Sequence, residues 1–99
     1  MIYGAEMEQT RRQEIRRLLG ERAWTLDELA VRYLLPKRVI VNDLEHIARS
    51  VAPRQRIEIL APTCNVCGFR FKDRTRFSDP SRCPRCKNEH LSSQRLRIT

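Results

Sequence analysis

The sequence lacks any long apolar segment. None of its uncharged runs approaches the roughly 18 residues that a membrane span requires. Its start, MIYGAEMEQTRR, lacks the charged and then apolar regions of a secretory signal. We therefore expect a cytoplasmic protein with no membrane partner, in a compartment where thiols stay reduced.

Patterns of common catalytic sites are also missing. The chain has 3 glycines and no glycine-rich loop that could cradle a phosphate. It shows no set of serine, histidine and aspartate arranged for nucleophilic attack. We therefore expect no enzymatic activity and no small-molecule substrate.

Positive charge is abundant and unevenly placed. The formal charge is +8 with a sequence pI near 10.2, which favours a polyanionic partner such as nucleic acid. Residues 1–50 hold 9 Lys/Arg and 8 Asp/Glu, a net of +1, and residues 51–99 hold 11 and 4, a net of +7. The polyanion signal therefore belongs to the second half of the chain.

The same half carries all 4 cysteines, spaced C-x2-C-x15-C-x2-C at Cys64, Cys67, Cys83 and Cys86. A two-residue interval lets a tight turn aim both sulfurs at one point, and two such turns supply a tetrahedral site. The spacing predicts a structural Zn²⁺ site that leaves no coordination position open for catalysis. Gly68 suits a turn that needs positive φ, and Pro84 stiffens the second turn.

Other interpretations of the cysteines remain. The same four thiolates can hold iron in an electron carrier, and one C-x-x-C alone resembles a thioredoxin-like redox motif. The redox motif normally opens a helix, whereas strand-like sequence flanks both pairs here. His90 lies close enough in sequence to replace a ligand, but with four cysteines present we expect it to stay unligated.

Residues 1–50 follow helical periodicity. We expect a first helix capped by Thr10 and ended by Gly20, with the residues before Thr10 either extending the helix or fraying. A second helix is opened by the capping box at Thr25–Glu28 and ended by Pro36. A third helix is predicted over about 37–50, with a polar face that includes Arg38, Asn42, Glu45, His46 and Arg49. A plain three-helix packing unit and a helix-turn-helix both fit this pattern.

Three later segments alternate polar and apolar residues as half-buried strands do: 56–60, 69–72 and 95–99. Strands after the third helix and at the C-terminus would convert a helix-turn-helix into a winged one. The predicted fold class is therefore α+β.

Four sequence segments carry a resemblance to a known family: TLDELA at 25–30, KRVIVNDLEHI at 37–47, PTCNVCGFRFK at 62–72 and PSRCPRCK at 80–87. Together they resemble a family of small archaeal predicted transcription regulators. That family combines a winged helix-turn-helix with a rubredoxin-like zinc ribbon. The resemblance implies a winged helix-turn-helix over 1–61, completed by strand 94–99, with a C4 zinc ribbon at 62–93 inserted in the wing.

A DNA-binding transcription regulator is the function that this resemblance and the charge favour. The third helix would enter the major groove, and the basic wing and ribbon would contact phosphates. The candidate DNA-binding residues are Arg38, Asn42, His46, Arg49, Arg54, Arg56, Arg70, Lys72, Arg74 and Arg76. Glu45 on the reading face, and Asp43 beside it, are expected to repel phosphates.

The alternative is a module that binds proteins of the transcription machinery or forms a homodimer without reading DNA. Zinc ribbons serve as protein-docking modules as readily as DNA-binding ones. The mixed charge of the third helix suits this interpretation.

Overall fold

The computed structural model describes residues 3–99, so the first two residues of the predicted 1–61 domain lie outside it. The chain forms a small α+β fold of three helices, a three-stranded antiparallel sheet and a cysteine-bearing ribbon. In chain order the elements are α1 (Tyr3–Glu21), β1 (Trp24–Thr25), α2 (Leu26–Tyr33), α3 (Lys37–Val51), β2 (Ile57–Leu60) and β3 (Arg95–Ile98). None of the described helices is long and apolar enough to cross a membrane.

Of the two alternatives for the residues before Thr10, extension of the first helix is the one observed, and the helix also continues beyond its predicted end. Thr10 lies inside α1 rather than at its cap, and α1 continues through Gly20 to Glu21. No left-handed glycine is required at this end, because the Leu18 carbonyl accepts two other donors: the Arg22 backbone N–H at 3.2 Å and the Trp24 indole N–H at 3.1 Å. A side chain beyond the helix therefore satisfies a terminal carbonyl.

The capping box of α2 is confirmed. The Thr25 hydroxyl accepts from the Glu28 N–H at 3.0 Å, and the Glu28 carboxylate accepts from the Thr25 N–H at 2.8 Å. The helix ends at Tyr33, and the next residue, Leu34, adopts a left-handed φ of 53°, two residues before Pro36. The turn from α2 into α3 is therefore short.

Helices α1 and α2 are linked by a polar contact. The Tyr33 hydroxyl donates to Glu14 at 2.5 Å. Burial, and then this bond to Glu14, raise the pKa of Tyr33 to about 12. The hydroxyl therefore stays protonated and remains a donor at neutral pH.

The sheet has the order β1-β3-β2, with β3 in the centre. Leu96 of β3 lies opposite both Trp24 and Ile59, and Arg56 and Thr99 exchange backbone bonds just beyond the ladder. The strands predicted at 56–60 and 95–99 are therefore confirmed. The two-residue β1 was not predicted.

The segment 69–72 is not a strand of the sheet. It forms an isolated bridge between Thr63 and Arg70, and the Phe71 N–H turns back to the Pro62 carbonyl. Its alternating pattern instead places Phe71 inward, with the ring of Phe69 edge-on at 5.1 Å.

One apolar core joins the helices to the sheet. Its buried members are Ile15, Leu18, Leu19, Leu26, Leu29, Ile40, Leu44, Ile47, Val51, Ile57 and Leu96. Phe77, from the loop between the two cysteine pairs, packs against this core. The ribbon is therefore anchored to the helical half by an apolar contact as well as by the chain.

A buried ion pair fixes α3 against α1. Asp43 has 0% exposure, and its carboxylate accepts from Arg11 at 2.6 and 3.0 Å and from Arg12 at 2.9 Å. The expectation that Asp43 repels phosphate beside the reading face is wrong, because the helical rotation turns it inward and two guanidinium groups neutralise it.

Replacing Asp43 by alanine should lower the free energy of unfolding by about 3 kcal/mol, since two guanidinium groups lose their shared carboxylate. Denaturant unfolding followed by circular dichroism measures the change. The matched control is Asp27→Ala, which removes a carboxylate 2.6 Å from Lys37 at a site where both side chains are more than half exposed. We expect the control to cost about 1 kcal/mol or less. Equal losses in the two variants would contradict the structural role assigned to Asp43.

Candidate functional site

The first cysteine pair lies on a tight turn. The Cys64 N–H donates to the Phe69 carbonyl at 2.8 Å, and the Gly68 N–H donates to the Cys64 carbonyl at 3.0 Å. Gly68 has a φ of 78°, a conformation that glycine adopts without steric cost. The prediction that Gly68 occupies a positive-φ turn position is confirmed.

The second pair repeats this turn. The Cys83 N–H donates to the Asn88 carbonyl at 2.8 Å, and the Lys87 N–H donates to the Cys83 carbonyl at 2.9 Å. Lys87 occupies the position equivalent to Gly68 and has a φ of 66°. The sequence analysis missed this equivalence, although both residues directly follow the second cysteine of their pair.

Backbone N–H groups in both turns point at sulfur. Those of Val66 and Cys67 lie 3.4 Å from the Cys64 sulfur, and that of Arg85 lies 3.4 Å from the Cys83 sulfur. Such donors stabilise thiolates, which are the form of cysteine that binds metal. The turns therefore both place the ligands and favour their charge.

The two turns bring all four sulfurs together, within 4.8 Å of one another. The Cys64 and Cys86 sulfurs are 3.5 Å apart and the Cys67 and Cys83 sulfurs 3.6 Å apart, and all four cysteines are free of disulfides. Tetrahedral Zn–S bonds of about 2.3 Å require sulfur separations of about 3.8 Å. The donor set therefore fits a closed, structural Zn²⁺ site.

The surroundings of the four sulfurs shift the thiol pKa values in opposite directions. The Cys67 N–H, with that of Val66, lowers the pKa of Cys64 to about 6. At Cys86 the Asn88 N–H acts in the same direction, but burial and the three neighbouring sulfurs together raise the pKa to about 12. Four thiolates this close repel one another, and a divalent cation offsets that repulsion.

The segment after the second turn braces the first. The Asn65 N–H donates to the His90 carbonyl at 2.8 Å. The Ser92 N–H donates to the Thr63 carbonyl at 2.8 Å, and the Thr63 N–H donates to the Ser92 hydroxyl at 2.8 Å. His90 contributes its backbone here, and it is not a member of the metal-ligand cluster that the described residues form.

A buried glutamine holds the loop between the cysteine pairs, and the sequence analysis missed it. Gln94 is 1% exposed; its amide oxygen accepts from Arg74 at 2.8 Å and its amide N–H donates to the Arg76 carbonyl at 2.9 Å. Arg74 also donates to the Ser78 carbonyl at 2.7 Å. No local pattern distinguishes such a glutamine from an exposed one in a polar stretch.

The residues predicted to read DNA share one exposed stripe of α3. Arg38, Asn42, His46 and Arg49 are all exposed, as is Glu45 among them. His46 also lines a groove of about 540 Å³ with Arg12 and Arg16 of α1. Arg12 is paired with Glu8 and Asp43, so exposed Arg16 is the α1 cation that the structure adds beside this stripe.

The remaining predicted residues lie between α3 and β2 or on the ribbon. Arg54, Arg56, Arg70, Lys72 and Arg76 are exposed. Arg74 is partly buried, and its guanidinium is engaged by Gln94 and Ser78. Arg74 therefore organises the loop, whereas the others present their charge to solvent.

The zinc site yields a direct test. The protein should contain one Zn²⁺ per chain, and chelation should expose the ribbon amides, because a structural zinc site contributes on the order of 10 kcal/mol to folding. Elemental analysis and hydrogen exchange at the Cys64 and Cys83 amides measure these effects. Cys83→Ser should lose the metal, and the control His90→Ala should retain it. Metal retained by Cys83→Ser, or lost by His90→Ala, would exclude the four-cysteine site.

Comparisons with known proteins match both halves of the chain. Residues 10–60 match the PF0610-like N-terminal family, and residues 61–99 match the PF0610 rubredoxin-like zinc beta-ribbon domain. The solution NMR structure of protein PF0610 from Pyrococcus furiosus is 33% identical, with a TM-score of 0.73 over 92% of this chain and 90% of that one. Comparison with curated proteins found no match. With the four cysteines assembled as a zinc-binding set, the chain belongs to the PF0610-like family of an N-terminal domain joined to a rubredoxin-like zinc ribbon.

Proposed function

We propose that this protein is a DNA-binding transcription regulator built on a winged helix-turn-helix. In this proposal α3 reads bases in the major groove, and the exposed arginines after α3 bind phosphates. The protein acts by binding and not by catalysis. Its zinc is structural, since four cysteines complete the coordination shell.

The inward rotation of Asp43 is the observation that carries the proposal. The sequence places two carboxylates on α3, Asp43 and Glu45. Arg11 and Arg12 neutralise Asp43 inside the protein, so Glu45 is the α3 carboxylate that a phosphate would meet. The exposed stripe is therefore more basic than the sequence of α3 suggests.

The side chains on this stripe have the chemistry of base recognition. Arg38 and Arg49 can each donate two hydrogen bonds to a guanine edge, and Asn42 can bond an adenine edge in the same bidentate manner. They lie at i, i+4 and i+11, so they share one side of the helix. This arrangement supports a reading role for α3.

The ribbon supports the electrostatic part of the proposal. Residues 51–99 carry a net charge of +7, and most of the candidate phosphate-binding residues in this half are exposed. The zinc turns and the Gln94 network hold the backbone that bears Arg70, Lys72 and Arg76. Prepositioned charges lose less conformational entropy on binding than flexible ones.

If α3 reads DNA, Asn42→Ala and Arg49→Ala should each lower discrimination at single base positions by about 1–3 kcal/mol. Glu45→Gln should strengthen non-specific binding, because it removes a repulsion. Binding to a selected duplex and to a scrambled one at fixed salt measures both effects. Arg17→Ala is the control, since Arg17 is an exposed α1 residue paired with Glu21. Unchanged discrimination in both α3 alanine variants would remove α3 from the reading role.

The ribbon contacts predict a salt effect. Replacing Arg70, Lys72 and Arg76 with glutamine should flatten the slope of log K against log salt by about 0.9 per lost phosphate contact, or about 2.7 for all three. The control removes three exposed charges from the second cysteine turn, Arg82, Arg85 and Lys87. Titrations over a range of salt give the two slopes. A larger change in the control set would place the electrostatic contact elsewhere.

A further inference from the structure

One edge of strand β2 bonds no other strand in the described part of the chain, residues 3–99. The strand lies at the end of the sheet order, with β3 on one side. Arg56 and Thr99 exchange backbone bonds, and paired residues in an antiparallel ladder alternate between bonded and non-bonded positions. The register Ile57↔Ile98 and Ile59↔Leu96 is continuous, so Ile57 and Ile59 direct their N–H and C=O groups away from β3.

Those outward groups face a groove. It has a volume of about 800 Å³, and its walls are β2 and the segment 70–77. Among the described residues, no backbone group of another segment bonds the outward side of Ile57 or Ile59. The two residues are about 6.8 Å apart along an extended strand, which is the repeat with which a further strand would pair.

The groove has apolar surface beneath a basic rim. Phe71, Phe77 and Leu60 contribute apolar side chains to its lining. The exposed side chains of Arg56, Arg70 and Lys72 stand around them. An occupant that fits both must alternate apolar and polar residues, as a half-buried strand does.

The charge of the lining favours an acidic occupant. It contains four cations, Arg56, Arg70, Lys72 and Arg74, and two carboxylates, Glu58 and Asp73, a difference of +2. Glu58 pairs with Arg97 at 2.7 Å from outside the groove and with Arg56 at 3.9 Å within it, which leaves Asp73 as the carboxylate without a partner in the described ion pairs.

The far wall is held in place. Arg74 and the Arg76 carbonyl are both bonded to buried Gln94, and the Phe71 N–H is bonded to the Pro62 carbonyl. Phe77 packs against the main core. The groove therefore exists before any ligand arrives, which lowers the entropic cost of binding.

We propose that the outer edge of β2 is a docking site for an extended acidic segment of a partner protein, which adds a fourth strand to the sheet. The partner's backbone bonds Ile57 and Ile59, its apolar side chains contact Leu60 and Phe77, which are partly exposed in the groove, and its carboxylates meet Arg56, Arg70 and Lys72. This is the strand-addition mode of peptide recognition. The site goes beyond the proposed reading of DNA by α3 and does not require it. It shares Arg56, Arg70 and Lys72 with the proposed phosphate contacts, so the acidic segment and DNA would compete for these side chains.

A single-stranded nucleic acid would also complement the charge of the basic rim, but it fits the edge of β2 less well. Its backbone offers no repeat of N–H donors and carbonyl acceptors with which Ile57 and Ile59 could pair. Phe71 is only 8% exposed, so it offers little ring surface for base stacking. The backbone pattern of the edge therefore favours a peptide.

The test uses the zinc-loaded full chain, labelled with ¹⁵N, and an eight-residue peptide in which glutamate alternates with valine. Binding should shift the Ile57 and Ile59 amide signals and slow their solvent exchange roughly tenfold or more. The Glu58 and Leu60 amides serve as internal controls, because they already bond β3 and should change little. Absence of any shift at Ile57 and Ile59 with about 1 mM peptide would overturn the proposal.

Two N-methylated peptides identify the mode of binding. One carries methyl groups on every glutamate amide and the other on every valine amide, so only one of them blocks the amides that face β2. One peptide should lose roughly tenfold or more in affinity while the other retains it. Equal affinities would exclude strand addition.

Charge reversal identifies the rim. Arg70→Glu combined with Lys72→Glu should weaken binding of the glutamate peptide and strengthen binding of a peptide in which lysine replaces each glutamate. Arg82→Glu combined with Arg85→Glu changes the net charge equally outside the groove and should leave both affinities near their starting values. Equal effects of the two pairs would overturn the assigned rim. An eight-nucleotide oligothymidylate that by itself slows exchange of the Ile57 and Ile59 amides as much as the peptide does would reassign the groove to nucleic acid.

Discussion

The pairing of β2 with β3 is the constraint on which the rest of the structure depends. The two strands lie 34 residues apart in sequence, between Leu60 and Arg95, yet their backbones must stay about 4.8 Å apart. The segment between Leu60 and Arg95 must therefore leave the sheet and return to it at the same end of the β2–β3 pair. A closed zinc site meets this requirement, because it draws two distant turns together without needing a large apolar core.

The same ladder links the ribbon to the helices. β3 also pairs with β1, which directly precedes α2, and its Leu96 is fully buried in the core. Gln94, two residues earlier, holds the loop between the cysteine pairs. A single C-terminal strand thus connects the helical half, the sheet and the metal-binding half, so movement of the ribbon relative to α3 would disturb buried contacts.

Burial, as well as position in the sequence, decides which charged side chains of this protein are exposed to solvent. Asp43 and two arginines of α1 neutralise one another inside the protein, and Arg74 is used to hold a loop, while the neighbouring arginines remain exposed. Counting charges along the chain therefore misjudges both α3 and the ribbon. The groove beside β2 shows a similar sorting, since Arg97 pairs with Glu58 from outside it.

The sequence by itself determined the features that depend on neighbouring residues. The spacing of Cys64 and Cys67, the capping box of Thr25 and the alternation at 95–99 each act within a few residues, so local geometry was enough to predict the zinc site, a helix start and a strand. Only the tertiary structure decided what depends on packing between distant segments. The inward turn of Asp43 requires α1 to pack against α3. The role of Gln94 requires the loop between the cysteine pairs to fold back onto it. The outer edge of β2 is unpaired because β3 lies between β1 and β2 and no described strand pairs with β2 on its other side. Such contacts join residues tens of positions apart, and no local pattern records them.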